Sequence, residues 1–363
     1  MRVAIIAPPF IPVPPTRYGG TELFIAQLAT GLTERGHEVV VYANGESQLP
    51  CEVRWLYEAS DWPLADPGSG TLKSLVHTSW AMRDVGDSFD VVHINDALAT
   101  VFTPFLRKPA VKTLHHPYEP ALSHVYAQYP EITYVAISRF QAQQHSMPRL
   151  CTIHHGVRVE DYSFGTGRRE YLLFLGRIAP AKGTHLAIDV ARRTGLPLKI
   201  AGEIQPVFRE YWERDVAPHV DGRHIEYVGE ADFAAKNALL AGALALLFPI
   251  QWDEPFGLIV IEAMSCGAHV LALAGGSMPE LVKDGVNGYM CTDPAEMAHR
   301  ATNLDIDPTR CREYVKAQFS LDVMVRRYET LLLDVIRGGA ASGDRQTRQV
   351  AECLEPPRPF TGL

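Results

Sequence analysis

The chain has 363 residues, of which 47% are hydrophobic and 21% are charged, and its formal net charge is −8. A chain of this length exceeds the size at which one hydrophobic core usually stops growing, so we expect two domains. The composition is that of a soluble globular protein, and the acidic balance argues against a general nucleic-acid binder, which needs a basic surface. Peripheral contact with a membrane stays compatible with this composition.

The cysteines and the apolar segments indicate the compartment. Six scattered cysteines show neither Cys-x-x-Cys spacing nor zinc-type pairing with histidine, which is typical of reduced thiols in a cytosolic protein. Residues 1–8 form a strand-like segment that is too short for the core of a signal peptide. The longest apolar run, 238–250, is interrupted by Gly242 and is too short to cross a bilayer. We therefore expect a cytoplasmic location.

The first half of the chain alternates strand-like and helix-like segments. Residues 21–35 place Leu23, Phe24, Leu28 and Leu32 on one helical face. The strand-like runs of this half are 3–7, 38–43, 90–94, 110–115, 134–137 and 152–157. Strands that alternate with helices predict a parallel sheet that is covered on both faces.

A second series of the same kind begins at 171–177 and continues through 198–202, 225–229 and 244–250. The polar segment 162–169 suits a linker between the two series. We predict an α/β fold of two Rossmann-like, doubly wound domains, 1–165 and 166–337, that face each other across a cleft. Residues 338–363 are rich in glycine, alanine, charge and proline, and we expect a loosely ordered tail there.

The most informative stretch is 253–267, which lies between the apolar runs 244–250 and 269–273 and is predicted to be the loop and helix of a βαβ unit. We expect the helix to include Pro255 in its first turn. Glu254 and Glu262 would then lie up to about 12 Å apart along the axis. Between them, the exposed amides of Phe256, Gly257 and Leu258 and the helix dipole would attract an anion. A sugar nucleotide has this layout, with a diphosphate between hexose and ribose hydroxyls.

This Glu-x7-Glu pattern, written Glu-Pro-Phe-Gly and then Glu-Ala-Met-Ser-Cys-Gly, resembles the signature of the family 4 retaining glycosyltransferases, which have the GT-B fold. The resemblance implies transfer of a hexose-type sugar from a nucleotide-diphosphate donor to an acceptor hydroxyl with retention at the anomeric carbon. It favours a uridine or guanosine diphosphate sugar and implies no cofactor. We assign Glu254 to the hexose hydroxyls and Glu262 to the ribose.

Two cations are predicted to face the leaving diphosphate. Gly176 and Arg177 end a strand, and Lys182 opens the next helix, so both side chains should project at the sheet edge where Glu254 lies. A fixed arginine and lysine stabilise the negative charge that develops when the bond to the sugar breaks. The segment Gly-Arg-x4-Lys-Gly is similar to the donor-phosphate motif of the family. Taken alone, such cations are commonly solvated.

Further candidates lie in the first domain. Gly19 and Gly20 follow the first strand, where the family has a glycine loop that closes over the diphosphate, although a lone Gly-Gly pair most often marks a turn. The resemblance implies that a histidine after the strand 110–115 contacts the sugar. His115 is the better match, but which of His115 and His116 faces the ligand stays open, and both are also compatible with structural roles. Ser138 is predicted to line the cleft or to cap a helix.

The remaining motifs give weaker predictions. Glu280 is expected near the donor, and Gly156 is taken as structural. Asp305 and Asp307 match an Asp-x-Asp metal pattern, but Pro308 after Asp307 favours a helix cap, so we predict no metal site.

Other classes stay open. A sugar-nucleotide epimerase of similar fold would need acid/base carboxylates at the sugar, and a non-catalytic nucleotide-sugar-binding protein would lack the catalytic arrangement around His115. We predict that the acceptor, whose identity is unknown, binds loops of the first domain such as 8–18 and 61–70. Because no basic amphipathic helix is evident, a soluble acceptor is favoured.

Overall fold

The computed structural model describes residues 1–16, 19–62, 64 and 66–338, and it contains two compact units. The first unit consists of Met1–Gly156 together with the helix that begins at Leu321, and the second unit is Val157–Ser320. Each unit has one all-parallel sheet with helices on its faces, which confirms the predicted α/β class with two doubly wound domains. The predicted tail lies outside the described residues beyond Gly338.

The first sheet has seven parallel strands in the order β3-β2-β1-β4-β5-β6-β7. The strands are β1 (Arg2–Ile6), β2 (Glu38–Ala43), β3 (Glu52–Trp55), β4 (Val91–Ile94), β5 (Ala110–Leu114), β6 (Thr133–Ala136) and β7 (Leu150–Thr152). The α-helices between them are α1 (Gly20–Glu34), α2 (Pro67–Val85), α3 (Pro120–Tyr126) and α4 (Arg139–Gln143), and a 3₁₀ helix spans Leu98–Phe105. Alternate residues of β1 enter two different cores: Val3 and Ile5 pack with α1, whereas Ala4 and Ile6 pack with α2.

The second sheet has six parallel strands in the order β10-β9-β8-β11-β12-β13. The strands are β8 (Tyr171–Leu175), β9 (Leu198–Ala201), β10 (Ile225–Gly229), β11 (Ala243–Phe248), β12 (His269–Leu273) and β13 (Gly288–Cys291). The α-helices are α5 (Thr184–Thr194), α6 (Arg209–Tyr211), α7 (Phe233–Gly242), α8 (Leu258–Ser265), α9 (Met278–Leu281), α10 (Pro294–Thr302) and α11 (Pro308–Gln318). The strand order reverses between β8 and β11, and an open α/β sheet binds ligands at the carboxyl ends of its strands at such a point.

The boundary between the units differs from the predicted one at 165/166. The strand expected at 152–157 ends at Thr152, and the second unit begins at Val157. The last helix, α12 (Leu321–Gly338), belongs to the first unit. It returns there because its apolar face, which includes Met324, Val325, Tyr328, Leu331 and Leu332, is buried in the core shared by α1 and β1.

Candidate active site

The loops after β8 and β11 meet at the point where the strand order of the second sheet reverses. The amide of Gln251, after β11, donates to the carbonyl of Ala181, after β8, at 2.8 Å. Gly183 has a left-handed φ of 74°, and a Cβ atom there would lie 2.0 Å from the carbonyl oxygen of Pro249. The two loops therefore pack so closely that only glycine fits at their junction.

This packing brings together two residues that are far apart in the sequence. The Lys182 ammonium donates to Oε2 of Glu254 at 2.5 Å, and their side chains are only 15% and 13% exposed. The indole Nε1 of Trp252 donates to the same oxygen at 3.0 Å, and the Lys182 ammonium lies 4.5 Å from the centre of the Trp252 ring. The predicted proximity of Lys182 and Glu254 is therefore observed, and Trp252 connects them.

The amino terminus of α8 differs from the predicted one. The helix begins at Leu258, and Gly257 is its N-cap with φ 90°, so Pro255 lies before the helix and Glu254 lies in the loop. The reason is the left-handed conformation of Gly257, which cannot continue a right-handed helix backwards. The Phe256 side chain is 2% exposed and packs against Phe319, with ring centroids 6.1 Å apart. The amides of Leu258 and Ile259 are the first of the helix and have no intrahelical acceptor.

The loop after β12 supports this arrangement from the other side. Gly276 has φ 59°, and a Cβ atom there would lie 2.1 Å from the carbonyl oxygen of Glu254. The amide of Ser277 donates to that carbonyl at 3.0 Å, and its hydroxyl donates to the carbonyl of Phe256 at 2.6 Å. Ser277 thus fixes the backbone on both sides of Pro255. Glu280 lies in the short helix α9 that follows.

Glu262 is held by two residues that sequence reasoning missed. Its side chain is 4% exposed, and its Oε1 accepts from the Lys236 ammonium at 2.5 Å and from the Tyr162 hydroxyl at 2.8 Å. Burial, together with the adjacent carboxylate, raises the pKa of Tyr162 above its ordinary value, so the hydroxyl stays protonated and donates. A lone lysine in an alanine-rich helix and a tyrosine in a segment that was predicted to be a linker carry no local signal for this contact.

Gly176 and Arg177 directly follow β8. The amide of Gly176 donates to the carbonyl of Ala201 at 3.0 Å, and a Cβ atom on Gly202 would lie 1.8 Å from the carbonyl oxygen of Gly176. This close approach of two glycines fixes the direction in which the chain leaves the strand. Arg177 is half-buried at that carboxyl end, as predicted from its position.

In the first unit, the two adjacent histidines have different surroundings. Both ring nitrogens of His116 are engaged, Nδ1 with the carbonyl oxygen of Pro117 and Nε2 with the Tyr126 hydroxyl, each at 2.7 Å. Nε2 of His115 contacts Oδ1 of Asn95 at 2.9 Å, and its ring stacks on His155 with centroids 5.7 Å apart. Burial, followed by the neighbouring imidazoles, holds the pKa of His115 well below its ordinary value. His116 is thus anchored structurally, which leaves His115 as the better candidate.

The glycine turn and Ser138 have local roles. Gly19 is the N-cap of α1 and Gly20 its first residue, and a Cβ atom on Gly19 would lie 2.8 Å from both Ile11 and Pro15. Burial raises the pKa of Glu22, in the first turn of α1, to about 7. Ser138 is fully buried, and its hydroxyl accepts from the amide of Gln141 at 3.0 Å as the N-cap of α4. The capping role is therefore observed, and donor binding by Ser138 stays a prediction.

Three further observations concern metals, cysteines and membranes. Asp307 caps α11 by accepting from the amide of Thr309 at 2.9 Å, which confirms its predicted role, and Asp305 accepts from the Tyr289 hydroxyl. Within residues 1–16, 19–62, 64 and 66–338, no group of three His, Cys, Asp or Glu side chains could hold a metal ion.

The cysteines that the structure describes are all free thiols. Nowhere in the described chain is a helix long and apolar enough to span a bilayer.

Comparisons with known proteins agree with the fold. Residues 163–318 match the family described as "Glycosyl transferases group 1", and residues 18–161 match "Glycosyltransferase Family 4". A phosphatidyl-myo-inositol mannosyltransferase of Mycobacterium tuberculosis is 25% identical over 91% of this chain and 93% of that protein. An N-acetyl-alpha-D-glucosaminyl L-malate synthase of Bacillus anthracis is 32% identical, but the match covers only 33% of this chain and 32% of the synthase.

A solved structure of Anabaena HepE in complex with UDP superimposes on 92% of this chain and 100% of its own, with a TM-score of 0.72 and 17% identity. This likeness concerns the fold alone. The two family matches together span residues 18–161 and 163–318, and the second contains the Glu-x7-Glu pattern and the Gly-Arg-x4-Lys-Gly segment. The chain belongs to the family 4 glycosyltransferases of the GT-B fold.

Proposed function

We propose that the protein transfers a hexose-type sugar from a nucleotide-diphosphate donor to an acceptor hydroxyl, with retention at the anomeric carbon and without a metal ion. The observation that carries this proposal is the contact between Lys182 and Glu254 where the strand order reverses, beside the first amides of α8. A cation and a helix amino terminus suit a diphosphate, and a carboxylate suits sugar hydroxyls. The three features lie in one loop cluster.

The proposed chemistry follows from the charges. The bond between the anomeric carbon and the diphosphate oxygen breaks, a bond from that carbon to the acceptor oxygen forms, and the proton of the acceptor hydroxyl passes to the departing diphosphate. Negative charge develops on the diphosphate, where Lys182, Arg177 and the amides near Gly257 and Leu258 stabilise it. Glu254 binds the hexose hydroxyls. No carboxylate is assigned as a covalent nucleophile of the kind that retaining hydrolases use.

Three other assignments complete the proposal. Glu262 binds the ribose, and His115, whose lowered pKa keeps the imidazole neutral at physiological pH, contacts the transferred sugar. The turn at Gly19 and Gly20 contacts the diphosphate. These roles are those implied by the family pattern.

The names of similar proteins bear on the donor and the acceptor. UDP is bound in the HepE structure, which supports a uridine diphosphate sugar as the first donor to test, with a guanosine diphosphate sugar as the second. The curated relatives are named for different acceptors, phosphatidyl-myo-inositol and L-malate, so we name the acceptor by its reacting hydroxyl alone. We also propose that the protein is located in the cytoplasm.

A panel of nucleotide sugars tests the donor class. Selective binding to the folded state raises the melting temperature, so at least one uridine or guanosine diphosphate sugar should raise it in a concentration-dependent way. With that donor, Glu262→Ala should raise the donor KM and Arg177→Met should lower kcat. Release of free sugar or transfer to an added acceptor distinguishes a transferase from an epimerase, which would convert the donor without releasing the nucleotide. Unchanged melting temperatures across the panel would refute the proposal.

A further inference from the structure

The two glutamates of the Glu-x7-Glu pattern are held in the same way. One oxygen of Glu254 accepts from Lys182 at 2.5 Å and from the indole of Trp252 at 3.0 Å. One oxygen of Glu262 accepts from Lys236 at 2.5 Å and from the hydroxyl of Tyr162 at 2.8 Å. In both cases a lysine and a neutral aromatic donor share a single oxygen. The other oxygen of each carboxylate accepts no hydrogen bond from the part of the chain that the structure describes.

The donors to Glu262 are themselves fixed. The Arg312 guanidinium donates to the carbonyl of Tyr162 at 2.7 Å, which holds this segment of the second unit in place. Asn237, the neighbour of Lys236 in α7, donates through Nδ2 to the carbonyl of Asp161 at 2.7 Å. Hydrogen bonds therefore connect the segment around Tyr162 to α7 and to Arg312, so both donors reach Glu262 from defined positions.

The cluster of Glu262, Lys236 and Tyr162 is buried and packed against an aromatic ring, which restricts the orientation of its side chains. The side chains of Lys236 and Glu262 are 17% and 4% exposed, and the Lys236 ammonium lies 5.5 Å from the centre of the Phe233 ring. Tyr162 also packs edge-on against Phe233, with centroids 5.5 Å apart. The Glu262 carboxylate cannot rotate in these surroundings without breaking its hydrogen bonds from Lys236 and from Tyr162 at once. Its unused oxygen is therefore held in one direction.

We propose that Lys236 and Tyr162 are positioning residues that aim the unused oxygen of Glu262 at a ribose hydroxyl of the bound nucleotide. This inference rests on the proposed function, in which Glu262 binds the ribose. Neither residue touches the nucleotide, because both act through Glu262. A carboxylate fixed in this way selects ribose over deoxyribose, since a buried acceptor that loses its hydroxyl partner is left unpaired.

The test measures ribose selectivity with the full chain. Calorimetry would compare the affinity for UDP and GDP with the affinity for their 2′-deoxy and 3′-deoxy counterparts. For the wild type, we expect the ribose form to bind about tenfold to a hundredfold tighter than at least one deoxy form. In Tyr162→Phe and Lys236→Met, this preference should fall to about threefold or less, while the affinity for the deoxy form stays nearly the same. A purely structural defect would weaken both forms equally.

A matched control is available in the same unit. Lys199 in β9 lies 3.8 Å from Glu226 and 4.7 Å from the centre of the Tyr171 ring, so it repeats the lysine–glutamate–aromatic arrangement at a different place. Lys199→Met should keep the full ribose preference. If both cluster variants also keep it, the positioning role is wrong while the proposed function stands. If Lys236→Met fails to fold, Tyr162→Phe decides alone. A wild type that binds these nucleotides without ribose preference refutes the role of Glu262 itself.

Discussion

Replacing Lys182 by methionine removes the ammonium but keeps most of the apolar stem, so it isolates the charge. In the wild type this ammonium lies 2.5 Å from Glu254 and 4.5 Å from the centre of the Trp252 ring. The Met variant leaves Glu254 with the indole of Trp252 as its donor. Under the proposed function, it also removes a cation from the developing charge on the diphosphate.

Two magnitudes follow from this geometry. A hydrogen bond to a charged group contributes about 1.5–3 kcal/mol, so the variant should lose stability within that range. For a domain of this size, such a loss lowers the melting temperature by ~2–4 °C per kcal/mol. Loss of one preorganised donor to a developing negative charge costs about 2.7–4 kcal/mol of activation free energy, or roughly a hundredfold to a thousandfold in kcat.

The assay is steady-state release of nucleotide from the donor identified by the panel, measured below the melting temperature of the variant. Lys199→Met serves as the control, because Lys199 also pairs with a glutamate but lies in β9, away from the loops after β8 and β11. We expect kcat to fall in Lys182→Met and to stay unchanged in the control. A Lys182→Met protein with a wild-type kcat and donor KM would refute the assignment of this cation to the diphosphate.

The remaining predictions concern pH, the histidines and a glycine contact. Because burial raises the pKa of Glu22 from 4.5 to about 7, the folded protein retains a proton that the unfolded chain releases, and this group's contribution to stability falls as pH rises from about 4.5 to 7. The free energy of unfolding of Glu22→Gln, measured with urea, should therefore exceed that of the wild type by up to about 3 kcal/mol at pH 8 and by little at pH 4.5. An equal difference at both pH values would contradict this reasoning. His115→Asn should lower kcat by roughly a hundredfold or more, whereas His116→Asn should chiefly lower the melting temperature. The opposite result would assign the contact with the sugar to His116 and the structural role to His115. Gly202→Ala should lower the free energy of unfolding by about 1–3 kcal/mol and weaken donor binding, because its Cβ would displace the carbonyl of Gly176. A variant with the melting temperature of the wild type would argue against that clash.

Sequence patterns predicted the sheets well and side-chain partners poorly. Strands such as β11 and β12 are recognisable because both of their faces are buried and the residues run apolar without interruption. The short edge strand β3 was missed, since its residues are exposed or half-buried and show no apolar run. The start of α8 was predicted too early in the sequence. The helix begins only after Gly257 because this residue has a left-handed φ, which a sequence does not display.

The site was predictable to the extent that a family motif marks it. Glu254 and Lys182 were expected at one sheet edge because the carboxyl ends of neighbouring parallel strands meet there, and the contact between their side chains was not predicted. Trp252, Tyr162 and Lys236 were not found, since each acts through a contact formed by tertiary packing. Nothing in the local spacing distinguishes Lys236 from a solvated surface lysine.

The position of α12 has a consequence for synthesis of the chain. The helix completes the core of the first unit, where Tyr328 is fully buried and bonds to Thr113 in β5 at 3.0 Å, and a Cβ atom on Gly31 of α1 would lie 2.4 Å from Val325. A ribosome makes α12, with Val325 and Tyr328, only after it has made all of Val157–Ser320. The part of the first unit that is made earliest therefore keeps this apolar groove uncovered until α12 has been synthesised, whereas the six described strands of the second sheet are all made before that helix.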